Sequence, residues 1–67
     1  MINFGIVFKE LRTSKSKSQK DMAITLNVSQ AAVSNWEAGR KIPEVPMLIT
    51  IAQYFKVSTD YLLGLEK

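Results

Sequence analysis

The sequence predicts an all-α domain built from five short helices, and three observations support this prediction. Apolar residues recur at the i, i+3, i+4 spacing of a helix along most of the chain. Ser and Asn residues precede the apolar segments as N-caps, and Gly or Pro residues separate several of them. No segment alternates apolar and polar residues as a strand does. With 67 residues, the chain has room for a single domain, residues 1–67, around one modest core.

The first two helices are predicted from their caps and their apolar faces. Asn3 is expected to cap the first helix, which should end near Ser14, where Ser and Lys residues alternate. Ser18 is expected to cap the second helix, and Asp21 makes a weak form of the capping box, which prefers Glu or Gln. The buried residues are predicted to be Phe4, Val7, Phe8 and Leu11 in the first helix, and Met22, Ala23 and Leu26 in the second.

A tight turn is expected between the second helix and the third. Asn27 lies where the chain must turn within about three residues, and Asn is the residue that tolerates a positive φ best after Gly. Ser29 is then the N-cap of the third helix, and Val28 with Val33 forms a hydrophobic staple around that cap. Gly39 is predicted to end the third helix, because a residue with positive φ commonly follows the last helical turn.

Two prolines mark the start of the fourth helix, and a serine marks the start of the fifth. Pro43 precedes the fourth helix, and Pro46 is tolerable only in its first turn. Ser58 is expected to cap a fifth helix that ends at Gly64. The buried stripe of the fourth helix is predicted to be Leu48, Ile51, Ala52 and Phe55. We expect five helices of roughly 6–12 residues, which is short for globular proteins.

The composition excludes several kinds of function and favours a polyanion as partner. The chain has no Cys and no His, so we expect no disulfide, no metal and no cofactor, and the common nucleophile–base pairs of enzymes are missing. Residues 12–41 hold six basic side chains against two acidic ones, whereas the net charge of the whole chain is only +3. A basic central segment favours nucleic acid. Ordinary solvated lysines are the alternative.

The segment 18–39 and the tail 57–64 resemble the helix-turn-helix of the lambda-repressor/Cro-like (xenobiotic-response-element) transcriptional regulators. The resemblance extends over roughly residues 4–64 and implies a compact five-helix domain with its helix-turn-helix at about 18–38. The sequence departs from the family at Asn27, where Gly is usual, and at Glu44, where many members carry a polar or basic residue. The matching residues are Ser18, Gln19, Met22, Ala23, Leu26, Asn27, Val28, Ser29, Val33, Ser34, Asn35, Trp36, Glu37, Ala38 and Gly39, followed by Val57, Ser58, Thr59, Asp60, Tyr61, Leu62, Leu63 and Gly64.

The third helix, residues 30–38, is predicted to read base edges in the major groove. At 100° per residue, Ala32, Val33 and Trp36 share one side, so we expect Trp36 in the core rather than stacked on a base. The alternative for the other side is an ordinary solvent face, which usually carries Glu and Lys. Gln and Asn amides can pair with adenine, and an Ala methyl can contact a thymine methyl, which favours A·T-rich half-sites. The predicted base-contacting residues are Gln30, Ala31, Ser34 and Asn35.

Other residues are expected to contact phosphates or to hold the helices together. The resemblance assigns a phosphate contact to Gln19, and a helix N-terminus favours such a contact; the alternative is a helix-start residue with no partner. The resemblance also implies that Arg12 and Glu37 form a structural ion pair between the first and third helices. The remaining phosphate candidates, which position the protein without reading sequence, are Lys15, Lys17, Lys20, Ser29, Arg40 and Lys41.

The expected partner is double-stranded DNA with a palindromic operator, bound by a homodimer. Regulators of this family commonly occupy two half-sites about 34 Å apart. Ile6 and Ile24 point away from the predicted inner faces, and Leu65 follows the last cap. We expect helix five and Leu65 to form the dimer interface.

Three functions remain open at this stage. The first is a transcriptional regulator, expected to be a repressor. The second is a DNA-binding antitoxin or a restriction–modification controller. The third is a protein–protein interaction module, against which the Gln30, Ser34 and Asn35 face argues. An enzyme is not expected, because acidic residues such as Asp21 and Asp60 belong to helix starts. With no apolar run of about 18–20 residues, no signal peptide and a chain that stops at Lys67, we expect a cytoplasmic protein without membrane contact or small-molecule ligand.

Overall fold

The computed structural model describes residues 3–65, which form five helices and no strand. The helices are α1 (Phe4–Ser14), α2 (Gln19–Leu26), α3 (Gln30–Glu37), α4 (Val45–Phe55) and α5 (Thr59–Leu62). The all-α, five-helix prediction is therefore confirmed. The fifth helix is shorter than expected, with four residues, because Gly64 with its φ of 75° follows Leu63 and ends the helical turn.

Serine side chains start three of the helices as predicted. The Ser18 hydroxyl accepts a hydrogen bond from the Asp21 backbone N–H at 3.0 Å, and the Asp21 carboxylate accepts one from the Ser18 N–H at 3.0 Å. This reciprocal pair is a complete capping box. Ser29 caps α3 and Ser58 caps α5 through the hydroxyl alone, each accepting a hydrogen bond from the backbone N–H three residues later.

Asn3 precedes α1 but does not cap it with its side chain, so the prediction for this residue was wrong in its chemistry. Its φ of −116° and ψ of 35° lie outside the extended region that a capping side chain needs, and no side-chain cap hydrogen bond forms. Instead, its backbone N–H donates to the Leu63 carbonyl at 3.1 Å. Asn3 therefore joins the start of the described chain to the end of α5.

The pH dependence of stability is expected to report the capping box. The hydrogen bond from the Ser18 backbone lowers the pKa of Asp21, and Lys17 and Lys20 lower it further. Because the native pKa is lowered, the ionised Asp21 carboxylate stabilises the fold at pH values above its unfolded pKa of about 3.9. This contribution is lost as the pH falls through the native pKa. Thermal melts from pH 7 to pH 2 should show Asp21→Asn less stable at neutral pH and equal to the parent at the acid end.

The matched control for this experiment is Asp60→Asn. Asp60 is an exposed carboxylate in the first turn of α5 that accepts no capping hydrogen bond among residues 3–65. Its replacement should leave the pH profile close to that of the parent. A constant stability difference between Asp21→Asn and the parent at all pH values would contradict the prediction.

Besides Gly64 after α5, four residues in the turns between helices have positive φ. Asn27 has a φ of 58° and Gly39 a φ of 79°, so both turn predictions are confirmed. Two further residues, Ser16 at 57° and Lys56 at 58°, adopt the same left-handed conformation without a Gly or Asn to signal it. Each costs about 1–2 kcal/mol for an ordinary residue, and the turn hydrogen bonds that follow α1 and α4 hold them there.

Aromatic side chains form the centre of the core. Phe8 is fully buried, and its ring packs edge-on against Trp36 at 5.8 Å and against Phe55 at 6.1 Å between ring centroids. Phe4 stacks on Phe8 at 5.4 Å. These contacts join α1, α3 and α4, and they confirm that Trp36 belongs to the core. The other buried apolar residues include Met22, Ala23, Leu26, Val33, Leu48, Ile51, Ala52 and Leu62.

Gly5 brings the backbones of α1 and α3 into direct contact. A Cβ atom added to Gly5 would lie 2.4 Å from the Trp36 carbonyl oxygen and 3.0 Å from the Glu37 carbonyl oxygen. Both neighbours are backbone atoms, which cannot swing aside as a flexible side chain can. Only glycine therefore allows α1 to approach the last turn of α3 so closely.

Candidate nucleic-acid interface

The third helix is anchored on one side and open on the other. Val33 is fully buried and Trp36 nearly so, and the Ser29 cap fixes the start of the helix. The Asn27 turn connects α2 to α3 in three residues. An exposed helix face held from behind by a preceding helix and a tight turn defines a helix-turn-helix unit.

The four predicted base-contacting residues lie together on the open face of α3. Gln30 and Ala31 are exposed, and Ser34 and Asn35 are partly exposed one turn further along the helix. The side-chain polar atoms of Gln30, Ser34 and Asn35 have no hydrogen-bond partner among residues 3–65. Ala38, which follows α3 as its C-cap, is also exposed. The face thus offers unbonded amides and a hydroxyl between small methyl groups.

Backbone hydrogen bonds join the loop after α3 to α3 itself. The Asn35 carbonyl oxygen accepts hydrogen bonds from the Arg40 N–H at 3.0 Å and from the Lys41 N–H at 3.4 Å. The side chains of Arg40 and Lys41 are exposed and have no ion-pair partner within the described part of the chain. Two exposed basic residues therefore follow directly after the C-terminal end of α3.

The lysines before and within α2 differ in their surroundings. Lys20 is exposed on α2, and Lys17 is partly buried in the turn before it. The Lys15 ammonium lies 5.7 Å from the centre of the Tyr54 ring on α4, a cation–π contact that the sequence analysis did not anticipate. Of the predicted phosphate candidates, Lys15 is thus the one engaged with an aromatic ring of its own chain. Ser29, another predicted phosphate contact, is exposed and serves as the N-cap of α3.

Arg12 and Glu37 form a bidentate ion pair between α1 and α3. The Arg12 Nε donates to Glu37 Oε2 at 2.6 Å, and Nη2 donates to Oε1 at 3.0 Å. The third guanidinium nitrogen, Nη1, donates to the Lys17 carbonyl at 2.7 Å. The side chains keep 11% and 5% of their surface exposed, respectively. The hydrogen bond to Glu37 raises the pKa of Arg12 above its ordinary value.

Gln19 belongs to this network, which contradicts the alternative of a helix-start residue without a partner. Its amide Nε2 donates to Glu37 Oε1 at 3.1 Å. The two residues lie 18 positions apart, so no local pattern in the sequence signals the contact. A phosphate contact by Gln19 stays a prediction, since one amide N–H and the carbonyl oxygen are still unbonded.

Residues 3–65 contain neither a group of metal ligands nor a helix that could span a membrane. No group of three or more acidic, His or Cys side chains lies close enough to hold a metal ion. No helix in this part of the chain has the length and apolar character required to cross a membrane. A shallow groove of about 210 Å³ lies between the N-terminal end of α1 and the C-terminal end of α3.

Comparison with known proteins identifies the family. The family model described as Helix-turn-helix matches residues 8–62. The chain therefore belongs to the helix-turn-helix family, and the resemblance to lambda-repressor/Cro-like regulators of the xenobiotic-response-element type is confirmed.

Two relatives that match nearly the whole chain are named as transcriptional regulators. The chain is 36% identical over 66 residues to the HTH-type transcriptional activator BcrR of Enterococcus faecalis, covering 98% of this chain and 32% of the relative. It is 33% identical over 66 residues to the HTH-type transcriptional regulator ImmR of Bacillus subtilis, covering 98% and 52%. The chain thus spans about a third of the length of the first relative and about half of the length of the second.

Solved structures share the fold. A transcriptional regulator from Listeria innocua superposes with a TM-score of 0.92 at 27% identity, covering all of this chain and 63% of the other. The restriction–modification controller protein C.AhdI from Aeromonas hydrophila superposes with a TM-score of 0.78 at 24% identity, covering 91% and 92%. The second likeness is one of fold alone.

Proposed function

We propose that this chain is the sequence-specific DNA-binding part of a transcriptional regulator, and that it acts as a repressor by occupying promoter DNA. The observation that supports this proposal is the open face of α3. Its polar side chains are unbonded within residues 3–65, while the opposite face is buried in the core. A helix with small, polar side chains on one face fits a major groove about 12 Å wide.

The base-reading step is assigned to Gln30, Ala31, Ser34 and Asn35. A Gln or Asn amide donates to adenine N7 and accepts from N6–H, a pairing that no other base offers in the same geometry. The Ala31 methyl can pack against a thymine methyl. We therefore expect half-sites rich in A·T pairs at the contacted positions.

Phosphate contacts are assigned to residues on both sides of α3. Arg40 and Lys41 flank its C-terminal end, while Lys17, Lys20 and Gln19 lie at the start of α2. Such contacts set the orientation on the duplex and make affinity depend steeply on salt, since bound counterions are released. Ser29 and Lys15 complete the set, and the contact of Lys15 with Tyr54 makes it the weakest member.

We place a second copy of the chain on the neighbouring half-site of a palindromic operator. Half-site centres one turn apart are about 34 Å from each other, and the Cα framework measures 29 Å along its longest axis. Neighbouring copies would therefore come within side-chain reach. Leu65 and Tyr61 at the end of the fold are exposed apolar residues available to such an interface.

In-vitro selection from random duplex DNA at about 100 mM salt tests the proposal. An inverted repeat with half-site centres one helical turn apart would support a dimeric, sequence-reading regulator. A motif without inverted symmetry would support the recognition face and argue against the dimer. Binding that is strongly salt-dependent but selects no motif would overturn the assignment of the α3 face.

Gln30→Ala is expected to relax the preference at one base position of the selected site. The variant loses a bidentate contact of roughly 1–3 kcal/mol, so affinity for the parent site should fall about tenfold while affinity for the site altered at that position changes little. Equilibrium binding to the parent site and its three single-base alternatives measures this effect.

The matched control is Gln53→Ala. Gln53 is an exposed amide on α4, outside the proposed interface, and its loss should leave both affinity and base preference unchanged. An equal loss of affinity for all four sites by Gln30→Ala would show that Gln30 does not read a base.

A further inference from the structure

The Glu37 carboxylate receives hydrogen bonds from two other helices at once. Oε1 accepts from Gln19 Nε2 at 3.1 Å and from Arg12 Nη2 at 3.0 Å, and Oε2 accepts from Arg12 Nε. The side chain is 5% exposed, so these bonds operate where water does not compete effectively. Glu37 is the last residue of α3, the proposed recognition helix.

The hydrogen bond between Gln19 and Glu37 joins the two helices of the helix-turn-helix at their far ends. Gln19 is the first residue of α2 and Glu37 the last residue of α3. The other ends, Leu26 and Gln30, are connected by the Asn27 turn. The buried face of α3 and the Arg12 ion pair hold this helix against the core and α1. The Gln19 amide adds a direct restraint between α2 and α3 at the ends opposite the turn, and so limits the tilt of α3 relative to α2.

We infer that Gln19 is a positioning residue for base recognition: by holding Glu37, it sets the tilt of α3 relative to α2 and so contributes to sequence discrimination and not only to affinity. This inference rests on the proposed function. It assigns Gln19 a role different from the phosphate contact predicted from its place at a helix start. One amide N–H serves the protein, and only the other can face a phosphate.

A change in tilt affects base contacts more than phosphate contacts. Asn35, the assigned base-reading residue farthest from the start of α3, lies five residues or about 7.5 Å beyond that start, so a rotation of about 5° displaces it by roughly 0.6 Å. Bidentate hydrogen bonds to a base weaken steeply with such displacements. Contacts between flexible Lys or Arg side chains and phosphates adapt to them. Loosening α3 should therefore reduce specific binding more than non-specific binding.

The test compares Gln19→Met with the parent on two duplexes, the selected operator and an unrelated sequence of equal length, at the same salt concentration. Met has nearly the length of Gln and cannot donate to Glu37. Specificity is expressed as the dissociation constant for the unrelated duplex divided by that for the operator. We expect this ratio to fall about tenfold in Gln19→Met, the size expected for one lost hydrogen bond to a charged group. Binding to the unrelated duplex should change by less than about threefold. Thermal melting of each variant establishes that it is folded.

Lys20→Met and Gln19→Lys are the companion variants. Lys20 is the exposed neighbour on α2 and makes no hydrogen bond to Glu37, so its loss should weaken binding to both duplexes equally and leave their ratio unchanged. The ammonium of Gln19→Lys can donate to the same carboxylate, and this variant should therefore keep the ratio of the parent.

Each outcome separates this inference from the proposed function. Equal weakening on both duplexes by Gln19→Met would show a simple phosphate contact and overturn the inference alone. A Gln19→Met variant with the ratio and affinity of the parent would overturn the inference as well. So would a Gln19→Lys variant whose ratio falls as far as that of Gln19→Met. A parent protein that binds both duplexes with the same affinity would instead overturn the proposed function.

Discussion

Replacing Gly5 with alanine is expected to destabilise the domain by about 2–3 kcal/mol, the upper part of the range of roughly 1–3 kcal/mol for forcing an extra methyl group into a filled space. Helix propensity alone gives the opposite sign, since alanine within a helix is favoured over glycine by about 0.5–1 kcal/mol. The reversal arises because the added Cβ would lie 2.4 Å from the Trp36 carbonyl oxygen, a backbone atom of α3. Relief requires α1 and α3 to move apart, which loosens the packing of Phe4 and Phe8 on Trp36.

The expected effect is large on the scale of this small domain. A chain of this size has a free energy of unfolding of roughly 3–10 kcal/mol. Its melting temperature should therefore drop by about 10–20 °C in Gly5→Ala. Thermal and urea denaturation followed by circular dichroism measure both quantities, and Trp36 fluorescence reports the same transition from inside the affected contact.

Gly39→Ala is the matched control. A Cβ on Gly39 would meet no heavy atom within 4 Å, and only its φ of 79° opposes alanine. This variant should lose about 1–2 kcal/mol from backbone strain alone. A Gly5→Ala variant as stable as the parent, or more stable, would contradict the close approach of α1 and α3.

Replacing Arg12 with methionine is expected to cost about 3 kcal/mol, because it leaves the buried Glu37 carboxylate with Gln19 as its single side-chain donor. Breaking a buried ion pair by removing one partner typically costs 3–5 kcal/mol. We take the lower end, since the Arg12 side chain keeps 11% of its surface exposed. The Lys17 carbonyl also loses its donor, which frees the turn between α1 and α2.

The double variant Arg12→Met with Glu37→Met separates the loss of the pair from the cost of an unpaired charge. No buried charge is left in this variant, so it should be more stable than Arg12→Met alone even though it carries two changes. Chemical denaturation of the parent, both single variants and the double variant completes the cycle. If the double variant lost as much stability as the two single variants together, Glu37 would not be desolvated in the fold.

The sequence by itself determined the helices and most of their ends. Ser18, Ser29 and Ser58 cap helices, and Asn27 and Gly39 take positive φ, as predicted from local chemistry. The apolar spacing also predicted the buried stripe of α4 and the open face of α3. These features depend on interactions within about four residues, which a linear pattern contains. The pairing of Arg12 with Glu37 was expected only through the family resemblance.

Only the tertiary structure decided how the helices meet. The contact of Gly5 with the Trp36 carbonyl, the hydrogen bond of Gln19 to Glu37 and the position of Lys15 over Tyr54 each join residues more than 15 positions apart. The predicted side-chain cap at Asn3 is absent, and a long-range contact is present there instead, since the Asn3 backbone N–H donates to the Leu63 carbonyl at the end of the fold. Side-chain spacing specifies which face of a helix is buried. The distance and tilt between two helices follow from how all the buried side chains fit together, and no local segment contains that information.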